Sequence, residues 1–108
     1  MTTSQNPNEA HVVVVVFTIA GCDACKEFAP RFQRIAQHYQ RQVPVVMLDA
    51  NDQRNADLGT RLNVTNVPAT FVLRRPSGVI RAEGAISDSQ IAWLFGVAAR
   101  EAALGPHH

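Results

Sequence analysis

The sequence predicts a single α/β domain in which a four-stranded mixed sheet is flanked by three helices. A continuous β-branched run that ends at Thr18 predicts the central strand, and an apolar pattern of helical spacing starts at Cys25. A short turn between two later apolar runs predicts an antiparallel hairpin. The chain has 108 residues, 46% of them hydrophobic, which is enough for one domain with one core.

We expect the folded domain to span residues 11–104. Residues 1–10 are polar and contain Asn6-Pro7-Asn8, a pattern typical of a disordered lead segment. Residues 105–108 are expected to form a tail, in which His107 and His108 resemble the remnant of a purification tag.

The first strand and first helix have the clearest patterns. Residues 11–18 are almost all apolar, as in a strand buried on both faces at the centre of an α/β sheet. From Cys25 to Tyr39, apolar residues recur every three or four positions, which predicts an amphipathic helix. The polar face of this helix is formed by Arg31, Arg34, Gln37 and Arg41. Pro30 lies inside this helix and should bend it, because it lacks a backbone donor.

Apolar runs and turn residues also define the second half of the chain. Ser87 and Gln90 have the spacing of a capping box, so the last helix should begin there and end before Gly105. The other predicted elements are a strand at 43–48, a short helix at 54–62, and strands at 70–75 and 79–83. The helix between the first two strands predicts that they are parallel, and the short turn at 76–78 predicts an antiparallel hairpin.

Charge and hydropathy exclude some classes of partner and location. A formal net charge of +1 gives no electrostatic reason to expect nucleic acid or an anionic membrane as a partner. No segment approaches the roughly 20 apolar residues that cross a bilayer. The polar N-terminus lacks the features of a secretory signal, so a cytoplasmic location is the default expectation, and we expect a monomer.

Cys22 and Cys25, the two cysteines of the chain, lie three positions apart. Cys22 follows a strand and opens a helix, where free N–H groups and the helix dipole stabilise a thiolate. Two intervening residues place both sulfurs on the first helical turn, within reach of a disulfide. Cys22, at the exposed end, is the predicted nucleophile. Cys25 is predicted to resolve the mixed disulfide, with no bound cofactor other than the redox-active Cys22–Cys25 pair.

Other interpretations of the cysteine pair stay open. Zinc usually needs four ligands, and the remaining candidates, His11 and His38, lack the required spacing. Inert packing of both thiols is a further alternative.

Asp23 places a negative charge beside Cys22, which destabilises the Cys22 thiolate, and the positive charge of Lys26 partly offsets this effect. A less stable thiolate favours the disulfide form of the protein, and hence a role as a reductant.

Further motifs give the chain a family resemblance. Cys22-Asp-Ala-Cys25 is followed by Ala29-Pro30, by Val67-Pro68-Ala69-Thr70 at the start of a strand, and by Gly84-Ala85-Ile86-Ser87 after the hairpin. Over residues 11–104 this combination resembles the thioredoxin superfamily. The resemblance implies a thioredoxin-like fold that lacks most of the N-terminal strand and helix of full-length members.

The resemblance also implies a substrate-docking surface. In relatives, the bond before the matching proline is cis and the residue before it pairs with a bound peptide, which assigns these roles to Pro68 and Val67. The resemblance therefore implies a flat, mostly apolar surface of six residues: Asp23, Ala24, Val67, Pro68, Gly84 and Ala85.

The chain departs from the superfamily pattern at several positions. Gly21 stands where typical members have tryptophan, and Asp23-Ala24 replaces glycine-proline. Val16 and Met47 match the positions of a buried aspartate and its neighbouring lysine. The buried proton-transfer group of the family is therefore missing, and water or Asp23 would have to serve the resolving step.

The expected function is an electron carrier that reduces disulfide-bearing protein substrates. The resemblance implies recharging by a thioredoxin-reductase-type flavoprotein or by glutathione. Two alternatives remain: an adaptor that docks partners without turnover, and a glutaredoxin-like, glutathione-dependent reductase.

Several other side chains have ordinary structural interpretations. Trp93 is expected to pack or to be partly exposed, and His38 to suit the C-terminal end of the first helix. Asp49 and Asp52 are expected to cap backbone groups at a strand-to-helix junction. Arg74 and Arg75 are expected to be a solvated strand end.

Overall fold

The computed structural model describes residues 11–105. The expected lead at 1–10 and the remainder of the tail lie outside the described residues. In chain order the elements are β1 (Val12–Thr18), α1 (Asp23–Gln37), β2 (Val45–Asp49), a 3₁₀ turn (Gln53–Asn55), α2 (Ala56–Arg61), β3 (Ala69–Arg74), β4 (Gly78–Glu83) and α3 (Asp88–Leu104). None of the described helices is both long and apolar enough to span a membrane.

The four strands form one mixed sheet in the order β2-β1-β3-β4. Strand β1 pairs in parallel with β2, and β3 is antiparallel to both β1 and β4. The predicted fold class, the parallel first pair and the final hairpin are confirmed. Strand β1 is therefore an interior strand, hydrogen-bonded on both sides.

Strand β1 is also buried on both faces, because its side chains alternate between two apolar layers. Val12, Val14 and Val16 pack with residues of α1 and α3, whereas Val13, Val15 and Phe17 pack on the α2 side. This double burial explains why the segment is continuously apolar.

Aromatic rings fill the layer between the sheet and the two long helices. Phe28 and Phe32 of α1 and Phe95 of α3 are fully buried, and the Phe32 and Phe95 ring centroids are 5.4 Å apart. Tyr39 stacks on Phe95 at 5.3 Å. These contacts fix α3 beside α1, with Phe32 in the core and Tyr39 partly buried against it.

Predicted element boundaries move by one or two residues. Strand β2 begins at Val45, two positions after the start of the apolar run, because Pro44 cannot donate to a ladder. The Pro44 carbonyl instead accepts a hydrogen bond from the Val14 amide at 3.1 Å. Strand β4 begins one residue early, at Gly78. A cis bond at Arg75–Pro76, which the sequence pattern did not indicate, lies in the turn before it.

The capping predictions are confirmed. Ser87 and Gln90 form the complete capping box of α3, and His38 is the C-cap of α1. Asp52 caps the 3₁₀ turn by accepting from the Arg54 amide, and Asp49 accepts from the Asn51 amide at 2.8 Å.

The expectation for Arg74 was wrong. Its side chain is only 23% exposed and pairs with Glu101 of α3 at 3.1 Å, because α3 passes over the end of β3. Arg75 is exposed, as expected. Trp93 is 60% exposed on α3.

Replacing Phe95 with alanine should destabilise the fold by about 3–5 kcal/mol, because the ring is buried between two helices and its loss leaves a cavity. Trp93→Ala on the same helix is the matched control, with an expected change within about 0.5 kcal/mol because that ring is exposed. Urea unfolding measures both values. Equal losses for the two variants would contradict the described orientation of α3.

Candidate active site

Cys22 is the N-cap of α1, directly after the segment that leaves the carboxyl end of β1. Its extended backbone (φ −90°, ψ 112°) lets the side chain turn back toward the helix. The Cys25 amide donates a hydrogen bond to Cys22 Sγ at 3.1 Å, and the Lys26 amide donates to the Cys22 carbonyl at 3.0 Å. Cys22 Sγ therefore takes the place of an N-cap side-chain oxygen and lies at the positive end of the helix dipole.

Cys25 lies one turn further along the same helix and is 4% exposed, whereas Cys22 is half-buried. Burial raises the pKa of the Cys25 thiol, and a hydrogen bond with the Cys22 sulfur raises it further. A hydrogen bond with the Ile19 backbone acts in the opposite direction. Cys25 is therefore a thiol near neutral pH, and Cys22 is the more accessible sulfur. Neither cysteine is in a disulfide in this structure.

Two loops from the other half of the chain meet through a hydrogen bond. The Val67–Pro68 bond is cis, as the family resemblance implied. The Gly84 amide donates to the Pro68 carbonyl at 2.8 Å. Gly84 has φ +86°, a conformation that favours glycine over residues with a Cβ.

The predicted docking residues differ in exposure. Asp23, Ala24 and Ala85 are exposed, Val67 and Gly84 are half-buried, and Pro68 is buried. The structure thus places Asp23 and Ala24 on the first turn of α1, and places the other four in two mutually hydrogen-bonded loops. Their role in docking stays a prediction.

Arg31 joins the cysteine helix to the Gly84 loop, a link that sequence reasoning missed. Arg31 Nη1 donates to the Ile86 carbonyl at 2.9 Å and to Asp88 Oδ1 at 2.7 Å. Hydrogen bonding to Arg31 holds the pKa of both Glu27 and Asp88 below the ordinary carboxyl range. The Glu27–Arg31 spacing of four residues was visible in the sequence, but the contacts 55 and 57 residues away were not.

The sheet beneath the cysteines carries no acid at the two matched positions. Val16 is fully buried and pairs in register with Met47 of β2, which is 39% exposed. On its other side Val16 faces Thr70, the buried polar side chain among residues 11–105. The predicted absence of the carboxylate–lysine pair therefore corresponds to an apolar strand pair.

Among the described residues, no three His, Cys, Asp or Glu side chains group together as metal ligands. A cavity of about 400 Å³ lies against α2 and is lined by residues that include Phe17, Asn55 and Gly59. No residue of the cysteine motif or of the Pro68 and Gly84 loops lines it. The cysteine motif and these loops therefore lie apart from this cavity.

Comparison with known proteins identifies relatives of this chain. The family model described as Thioredoxin matches residues 3–95. Thioredoxin-T of Drosophila melanogaster is 31% identical over 87 residues, which are 81% of this chain and 54% of that protein. Protein disulfide isomerase-like 1-1 of Arabidopsis thaliana is 30% identical over 70 residues, 62% of this chain and 14% of that protein. The chain thus spans between about one seventh and about half of these relatives' lengths.

Solved structures give the same result at the level of the fold. The short form of thioredoxin f from spinach chloroplast superposes with a TM-score of 0.68 at 30% identity, covering 84% of this chain and 78% of that one. Malassezia sympodialis thioredoxin superposes with a TM-score of 0.72 at 19% identity, covering 82% and 76%. The match over most of the chain, together with two cysteines on the first turn of α1 and a cis-proline loop, shows that this chain belongs to the thioredoxin family, a family of thiol–disulfide oxidoreductases.

Proposed function

We propose that this protein reduces disulfides in protein substrates by dithiol–disulfide exchange, with Cys22 as the nucleophile and Cys25 as the resolving thiol. The observation that carries this proposal is the asymmetry between the two sulfurs. Cys22 is half-buried and its sulfur accepts a hydrogen bond from an amide at the helix N-terminus, whereas Cys25 is 4% exposed and has a raised pKa. The accessible sulfur at a helix N-terminus is the one suited to attack an incoming disulfide.

The reaction proceeds in two exchanges. The Cys22 thiolate attacks one sulfur of the substrate disulfide, which forms a mixed disulfide and releases the other substrate sulfur as a thiolate. Cys25 then loses its proton and attacks Cys22 Sγ, which forms the Cys22–Cys25 disulfide and releases the second substrate thiolate. Two electrons pass from the protein to the substrate, and both released thiolates take up protons.

The second exchange is the step that the surroundings make difficult. Burial favours the neutral Cys25 thiol, yet the attack needs the thiolate. Val16 and Met47 supply no base beneath the helix. The proton of Cys25 therefore passes to water or to exposed Asp23, and we expect resolution to be slower than the first attack.

The docking surface and the electron source complete the proposal. Substrate chains would lie along Val67, with Pro68, Gly84 and Ala85 beside them and Asp23 and Ala24 on the helix side. A thioredoxin-reductase-type flavoprotein or glutathione would return the protein to its dithiol form. We propose no bound cofactor, a cytoplasmic location and a monomeric state.

Substitution of each cysteine should abolish insulin reduction with dithiothreitol, but only one of the two variants should accumulate an adduct. Cys22→Ser should lower the catalysed rate to background, because the attacking sulfur is gone. Cys25→Ser should also lose turnover but should accumulate a mixed disulfide with the substrate, since resolution is blocked. Non-reducing gels and mass measurement detect that adduct.

Two results would count against this assignment. Activity that survives Cys22→Ser would exclude Cys22 as the nucleophile. A wild-type chain that binds disulfide peptides but never reduces them would favour the adaptor alternative, for which the missing buried acid is the supporting observation.

The rate of resolution should depend on pH in the direction set by Cys25. Because burial raises its pKa, the reactive thiolate is scarce at neutral pH and grows about tenfold per pH unit. Release of a coloured aromatic thiol from a Cys22 mixed disulfide should therefore still accelerate in the range where an ordinary thiol, with a pKa of about 8.5, has levelled off. Rapid-mixing absorbance at increasing pH gives the profile.

Cys25→Ser is the control for that profile, since its mixed disulfide should release no aromatic thiol at any pH. A wild-type rate that stays flat from about pH 7 to pH 9 would show that Cys25 is already ionised at neutral pH, in conflict with its burial.

A further inference from the structure

We propose that Arg31 is a positioning residue that holds the docking loop, residues 84–86, against the cysteine helix and so sets the affinity for disulfide substrates. This inference rests on the proposed reduction of protein disulfides. It assigns a role to a side chain that the sequence pattern placed on the polar face of α1.

The guanidinium of Arg31 uses all three of its nitrogens. Nε and Nη2 donate to the two carboxylate oxygens of Glu27 at 2.6 and 2.8 Å, one helical turn back on α1. Nη1 donates to the Ile86 carbonyl at 2.9 Å and to Asp88 at 2.7 Å. One side chain therefore joins the cysteine helix, the docking loop and the first turn of α3.

The surroundings restrict where this side chain can point. Arg31 is only 21% exposed on its side chain, and its guanidinium carbon lies 5.5 Å from the ring centroid of Phe28, which is fully buried. The two-point pairing with Glu27 also fixes the plane of the guanidinium. Since Glu27 and Phe28 both belong to α1, the donor aimed at Ile86 moves with the cysteine helix.

Two backbone hydrogen bonds connect Ile86 with the cis-proline, Pro68. The Ile86 amide donates to the Gly84 carbonyl at 3.0 Å, and the Gly84 amide donates to the Pro68 carbonyl at 2.8 Å. Arg31 therefore connects α1 with both loops of the docking surface. Without it, the loop keeps its bond to Pro68 but loses a hydrogen bond that ties it to the helix bearing Cys22.

The position of Arg31 predicts which kinetic constant changes. It lies six residues after Cys25, about 9 Å along the helix axis, so its removal should leave the capping of Cys22 and the burial of Cys25 unchanged. The expected effect is weaker docking of the substrate chain, with unaltered sulfur chemistry.

Arg34 offers a matched control on the same helix. It also pairs with Asp88, at 2.9 Å, and its loss removes the same charge from the same pair of helices. Its side chain is 57% exposed, and its hydrogen bond goes to Asp88 and not to the docking loop. A role that depends on charge alone would therefore give similar changes for Arg31 and Arg34.

The experiment compares the wild-type chain with Arg31→Met and Arg34→Met in insulin reduction over a range of insulin concentrations. For Arg31→Met we expect KM to rise about fivefold with kcat nearly unchanged, the effect of losing one charge-assisted hydrogen bond that is partly open to solvent. The rate of iodoacetamide alkylation of Cys22 and the reduction potential should match wild type. Hydrogen exchange at the Gly84 and Ile86 amides should speed up. Arg34→Met should match wild type in all four measurements.

A second variant keeps the test decisive if Arg31→Met folds poorly. Arg31→Lys retains the charge but cannot pair with Glu27 through a planar fork, so its KM should lie between those of wild type and Arg31→Met. Equal KM values for the Arg31 and Arg34 variants, or an altered alkylation rate or potential in Arg31→Met, would overturn the positioning role while leaving the proposed function intact. A wild-type protein that reduces no disulfide would overturn both.

Discussion

Burial of β1 on both faces is the constraint on which the rest of this structure depends. The strand is hydrogen-bonded to β2 and β3, and its side chains alternate between the two apolar layers. Helices α1 and α3 pack on one layer through Phe28, Phe32 and Phe95. The buried rings of Phe28 and Phe32 hold α1 against the sheet, and the short connection between β1 and α1 puts the first turn of α1 near the end of β1. That geometry brings Cys22 to the surface and leaves Cys25 inside.

The two cysteines have different environments because the first turn of α1 runs from the protein surface into the core. At the N-terminus of α1, a backbone amide and the helix dipole interact with Cys22. Cys25 is buried, and the loss of hydration raises its pKa. The two sulfurs differ in environment although they lie three residues apart. The strand pair Val16–Met47 carries no ionisable side chain, in line with the slow resolving step that we propose.

Sequence reasoning succeeded where the physical cause is local. The β-branched run, the helical spacing of α1 and the Ser87–Gln90 box each depend on residues within one element, and all three appear as expected. It failed where the partner is distant along the chain. Arg74 was expected in solvent, but α3 brings Glu101 to within 3.1 Å of it. Arg31 was placed on a polar face, and its Ile86 contact spans 55 residues.

By itself, then, the sequence determined the type of each element, the two-sided burial of β1 and the pairing of Cys22 with Cys25 on one helical turn, because periodicity and spacing act over a few residues. Only the tertiary structure decided which loops are tied to the cysteine helix and how they are held. Pro68, Gly84 and Ile86 come together through backbone hydrogen bonds, and Arg31 ties them to α1. Such contacts exist only after the core has packed, since packing sets the distance between helix and loop.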